Sequence, residues 1–107
     1  MKFKNPYLTN KEKIELLEKW IIIHSILYYM LGESLVTDKQ YDDNCYQLVD
    51  MIHKFPNAFK NSRYYYAYHD FDGSTGYHLF GRLNREDNKR LYSDADDFLK
   101  YIKRGRI

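Results

Sequence analysis

The sequence is short of the residues that staple, break or interrupt a chain, with one cysteine, two prolines and five glycines among 107 residues. Cys45 alone cannot close an internal disulfide, and no Cys-x-x-Cys or Cys/His spacing suggests zinc. A reducing compartment and no metal are therefore expected. No internal repeat, low-complexity tract or linker divides the chain, and its length suits one compact core, so residues 1–107 are read as a single domain. An excess of charge is also missing. A net +2 from 17 basic and 15 acidic residues gives no strong field and does not argue for phosphate-backbone binding. Long apolar runs are absent too. The longest stretch without formal charge, residues 20–32, contains His24, Ser25 and two tyrosines, and falls short of the roughly 20 apolar residues a membrane span needs. Residues 1–6 lack the apolar run and cleavage site of a signal peptide. The expectation is a cytoplasmic protein with no membrane partner.

What the chain has in abundance is tyrosine, twelve of them, with six phenylalanines and one tryptophan. Tyrosine carries a large apolar ring and a polar tip, which suits half-buried packing, ligand stacking and protein interfaces alike. Composition does not choose among these.

The pattern along the chain predicts a mainly α fold with a small β or irregular segment. Thr9-Asn10-Lys11-Glu12 has the capping-box form that opens a helix. Ile14, Leu17, Ile21, Tyr28 and Leu31 then recur at helical spacing, with Leu16, Ile23, Ile26 and Leu27 widening the stripe. Gly32 accepts the left-handed conformation that ends helices. A second box, Thr37-Asp38-Lys39-Gln40, opens another helix, with Tyr41, Cys45, Leu48 and Ile52 on one face. Pro56 stops it. A helical hairpin over about 9–31 and 38–54 is thus expected. Residues 63–83 are aromatic-rich without clear period and read as an aromatic loop or short hairpin, with Asp72-Gly73-Ser74-Thr75-Gly76 as a turn. Leu91, Ala95, Phe98, Leu99 and Ile102 mark a C-terminal helix over about 85–104, with a restart at Ser93 suggested by another Ser-x-x-Asp cap.

In residues 24–42 a paired aromatic, Tyr28-Tyr29, ends one helix, and Asp38-x-x-Tyr41-Asp42 opens the next. This resembles the small N-terminal domain of bacterial NAD-dependent DNA ligases, in which a Tyr-Tyr or Tyr-His pair leads through a loop of the same length to Asp-x-x-Tyr-Asp. That resemblance implies recognition of the nicotinamide mononucleotide (NMN) half of NAD. Tyr28 and Tyr41 would flank the nicotinamide ring, and Tyr29 would stand where many members have His. Asp38 and Asp42 would meet ribose or other polar groups. The chemistry is coherent, because a cationic ring favours aromatic faces and carboxylates accept from sugar hydroxyls. Against it stands plain packing: Asp38 also suits a helix first turn, and Tyr28 and Tyr41 also suit a hairpin core. His24, a lone histidine on an apolar helix, reads as structural.

The departures from the ligase pattern set limits on function. The adenylation lysine of Lys-x-Asp-Gly is missing; the nearest string, Asp70-Phe71-Asp72-Gly73, has aspartate in its place and cannot supply that nucleophile. No enzyme activity is expected. The Asp-Gly-Ser-Thr-Gly turn lacks the Walker lysine and reads as an exposed loop, and His69 and Asp70 lack a nucleophile partner. A looser resemblance extends over most of the chain to small standalone bacteriophage proteins labelled ligase-related. Two partner classes follow: a nicotinamide nucleotide (NMN or NAD), or a host or antiviral-defence protein bound by a phage-encoded inhibitor that keeps the hairpin as scaffold. Specific nucleic-acid binding is not expected, since only Lys100, Lys103, Arg104 and Arg106 form a basic cluster, which also suits a helix end. Self-association stays open.

Overall fold

The computed structural model describes residues 1–74 and 78–105 of the chain, and five helices account for most of them. They are α1 (Asn10–Tyr29), α2 (Asp38–Lys54), α3 (Pro56–Lys60), α4 (Tyr65–Tyr68) and α5 (Arg85–Arg104), with a 3-10 turn at Phe80–Arg82. Both predicted capping boxes form: Thr9 with Glu12, and Thr37 with Gln40. Helix α1 ends at Tyr29, just short of the expected 31. The positive φ of Gly32, 67°, lets the Glu33 N–H reach back to the Leu27 carbonyl at 2.8 Å, which satisfies an end that would otherwise be orphaned. No described helix is long and apolar enough to cross a membrane.

Helix α1 is central, with α2 folded back along it on one side and α5 packed on the other. Ion pairs from Lys19 to Asp94 and from Glu33 to Lys103, each 3.3 Å, show that α5 runs in the same sense as α1. Ile14, Leu17, Ile21, Ile22 and Leu27 are fully buried, as are Leu48 and Leu91 opposite them. Two residues of the predicted α1 stripe do not join the core: Leu16 is 43% exposed and Tyr28 55% exposed. Phe98 of the α5 stripe is likewise exposed, while Leu91, Ala95 and Leu99 are buried. A restart at Ser93 does not occur. Asn84 caps α5 by accepting from the Asp87 N–H at 2.8 Å, and the helix runs unbroken through Ser93.

The expected short hairpin is corrected, because the described residues contain no strand and the aromatic segment is helical in pieces. Its backbone bonds are local, from Tyr65 N–H to Ser62 C=O, Tyr68 to Tyr64 and Phe71 to Tyr68. Tyr64, Ala67 and Tyr68 are buried, a spacing of three and four that already carries the helical period. This segment caps a buried acid. Glu18 is fully buried on α1, accepts from Ser62 Oγ at 2.9 Å, and its carbonyl accepts from Tyr68 OH at 2.7 Å. Burial raises the Glu18 pKa to about 8, and Oε1 has no hydrogen-bond partner among the described residues. On the far side Asp87 gathers Tyr66, Arg63 and Arg90, which ties the same segment to α5.

Candidate functional site

The end of α1, the connection 33–37 and the start of α2 enclose a cleft of about 270 Å³, near the small end for small-molecule sites. Helix α1 supplies His24, Ser25, Tyr28 and Tyr29, whose spacing of four puts consecutive turns on one side. Helix α2 supplies Asp38, Tyr41 and Asp42 at i, i+3 and i+4. All five residues singled out by their sequence pattern, Tyr28, Tyr29, Asp38, Tyr41 and Asp42, line this one cleft.

The capping box bears on Asp38. Because Thr37 accepts from the Gln40 N–H at 3.1 Å and Gln40 accepts from the Thr37 N–H at 2.9 Å, the N-cap is complete without Asp38. Asp38 and Asp42 make no hydrogen bond or ion pair among the described residues, whereas the next carboxylate, Asp43, is held by Lys39 at 2.7 Å. Two carboxylates are thus left facing a cleft.

Tyr41 is fixed differently. Its hydroxyl lies 2.8 Å from Ser25 Oγ, and Ser25 donates its one proton to the Ile21 carbonyl at 2.7 Å, so Tyr41 is the donor. Burial pushes the phenol pKa up, which keeps it protonated. The hydroxyl is committed to the protein, and the ring is what Tyr41 offers a ligand. Tyr28 and Tyr29 meet edge to face with ring centres 4.9 Å apart.

His24 is the residue the sequence reading assigned a purely structural part. It stacks on Trp20 with ring centres 4.3 Å apart and meets the edge of Phe98, yet it also lines the cleft. Only 8% of it is exposed, neither ring nitrogen has a hydrogen-bond partner among the described residues, and burial lowers its pKa to about 4. A neutral imidazole therefore brings one free donor and one free acceptor to the site. Its signal in sequence is position, one helical turn before Tyr28. Glu33, Ser34, Val36 and Ser74 also line the cleft, and the connection carries no motif that announces them.

The remaining candidates lie elsewhere. Asp70 pairs with Arg82 through both guanidinium nitrogens, and Asp72 accepts from the Ser74 N–H at 2.9 Å. Thr75 and Gly76 of the expected turn lie outside the described residues, as does Arg106 of the basic cluster. Lys100 is paired with Asp96 and Lys103 with Glu33. No described group of three His, Cys, Asp or Glu side chains is arranged to hold a metal ion. Compared with known proteins, the chain matches no family model, no curated protein and no solved structure.

Proposed function

We propose that the chain is a non-catalytic binding module whose α1–α2 hairpin recognises a nicotinamide nucleotide, NMN or the nicotinamide end of NAD. The observation that carries this reading is convergence: five residues chosen by motif spacing border a single cleft, and two of them, Asp38 and Asp42, make no hydrogen bond or ion pair among the described residues. Aromatic faces attract a cationic ring by about 0.5–2 kcal/mol each, and Asp38 and Asp42 are free to accept from ribose hydroxyls. The lack of a Lys-x-Asp-Gly nucleophile in the sequence supports a role without adenylate transfer. Calorimetric titration with NMN and NAD tests the reading. Saturable heat that is lost in Asp42→Ala is the expected result; a folded protein giving no heat at millimolar ligand contradicts it.

A second reading is favoured by one observation, the run of exposed apolar side chains at the end of α1, where Tyr28, Tyr29 and Met30 are each more than two-fifths exposed. Exposed aromatics anchor protein interfaces. In that reading a phage-encoded chain binds a host or defence protein. A stoichiometric partner captured equally by the wild type and by a variant lacking the five cleft side chains favours it over nucleotide recognition.

A further inference from the structure

The cleft has a charge pattern that narrows its ligand further than the nucleotide reading does. Three carboxylates border it, Glu33, Asp38 and Asp42, and no lysine or arginine is among its described lining residues. Glu33 is neutralised by Lys103 at 3.3 Å, while Asp38 and Asp42 are not neutralised by any described group. A monophosphate ester carries about −1.5 to −2 at neutral pH, and no described residue bordering this cleft offers it a counter-charge. Of the first-turn amides of α2, the Gln40 N–H is already occupied by Thr37, and the negative Asp38 side chain in the same turn opposes an anion there.

The polar group that does await a partner is His24. It is more than nine-tenths buried, borders the cleft, and has both ring nitrogens without hydrogen bonds among the described residues. A ligand in the cleft that accepts from one ring nitrogen and donates to the other would pair both. A primary carboxamide supplies one acceptor and two donors; a carboxylate supplies acceptors only and brings a third negative charge towards Asp38 and Asp42.

Resting on the nicotinamide reading above, we infer that the cleft selects a cationic, amide-bearing aromatic nucleoside without its phosphate, with Asp38 and Asp42 rejecting the phosphate and His24 pairing with the amide. The phosphate of NMN, and the pyrophosphate of NAD, then stay outside the cleft as spectators that weaken binding.

The probes are nicotinamide riboside, NMN and nicotinic acid riboside, titrated calorimetrically into the full chain at low and at physiological salt. Two carboxylates at roughly 8 Å from a phosphate make the riboside about threefold to tenfold tighter than NMN, with the larger ratio at low salt. Nicotinic acid riboside is the weakest of the three. In Asp38→Asn/Asp42→Asn the ratio of riboside to NMN affinity falls towards one, an effect that a merely structural role of these exposed residues does not produce. In His24→Phe, which keeps a ring against Trp20, the preference for the amide over the acid shrinks while the riboside-to-NMN ratio persists. NMN binding as tightly as the riboside, or more tightly, overturns the inference and leaves the nucleotide reading standing. Heat from none of the three, with circular dichroism showing a folded chain, overturns both.

Discussion

Tyr41 and Ser25 are joined by a 2.8 Å hydrogen bond between their hydroxyls, and this bond locks the first turn of α2 onto the last quarter of α1. It fixes the Tyr41 ring as part of the cleft lining while consuming its hydroxyl.

Removing either partner should therefore separate stability from binding. Ser25→Ala leaves the half-buried Tyr41 hydroxyl without its acceptor and is expected to cost about 1–3 kcal/mol. Tyr41→Phe leaves Ser25 still bonded to the Ile21 carbonyl and is expected to cost about 0.5–1.5 kcal/mol, with ligand affinity close to wild type because the ring stays. Urea denaturation of both variants, with parallel titration of Tyr41→Phe, checks this; a collapse of affinity in Tyr41→Phe would show that the hydroxyl serves the ligand instead.

Stability should depend on pH through two buried groups with opposite signs. Burial, the main cause, raises the Glu18 pKa from 4.5 to about 8. The folded chain keeps a proton that the unfolded chain releases, so the Glu18 contribution is fully present below about pH 4.5 and lost as pH rises to about 8. Burial lowers the His24 pKa from 6.5 to about 4, so its contribution is present above about pH 6.5 and lost as pH falls towards 4. The two slopes oppose each other between about pH 4.5 and 6.5. Calorimetric unfolding should show a broad maximum there and a decline from about pH 6.5 to 8 that is absent in Glu18→Gln. Equal slopes in wild type and Glu18→Gln would place the ionisation elsewhere.

Gly32 holds the connection that carries Glu33 and Ser34 to the cleft. Its φ of 67° is unfavourable for any residue with a Cβ, although a Cβ built there would meet no atom within 4 Å. Gly32→Ala should cost about 1 kcal/mol through backbone strain alone and weaken ligand binding only through the displaced connection. Gly32→Asn, better suited to left-handed backbone, should recover part of the loss. Thermal melts of the two variants compared with wild type decide it.

DNA should not be a specific ligand. Two of the four basic side chains near the C-terminus, Lys100 and Lys103, are already paired with Asp96 and Glu33. Even four neutralised phosphates imply a log-log salt slope of about −3.6, and such binding fades by physiological salt. Sub-micromolar, sequence-dependent gel shifts at about 150 mM salt would contradict this.

The hairpin was legible because its signals are local. Thr9 and Thr37 each find their Glu or Gln three residues on, and Asp38, Tyr41 and Asp42 share a helix face by spacing alone. The aromatic segment misled because tyrosine suits strands and helices alike, and its inward face, Tyr64, Ala67 and Tyr68, spans barely one turn. Tyr28 broke the apolar stripe for a similar reason: helical spacing predicts a face, and only the path of the connection into α2 decides whether that face is covered or borders a cleft. His24 escaped as a site residue because the free state of its nitrogens depends on Trp20 and Phe98, one on its own helix and one on α5. Glu18 gave no warning either. A single acid within an apolar stripe reads as solvated until Ser62, distant in sequence, is seen to donate to it.

The central claim is that a nicotinamide ligand occupies the α1–α2 cleft, and locating the ligand tests it most directly. Two-dimensional amide NMR of the uniformly ¹⁵N-labelled chain during titration with NMN and nicotinamide riboside reports where the ligand sits. The account predicts saturable shifts concentrated at residues 24–29, 33–38 and 41–42, with α3 and the first half of α5 unmoved, and loss of those shifts in Asp42→Ala. Shifts centred elsewhere, or none at millimolar ligand in a spectrum that shows a folded chain, would contradict it.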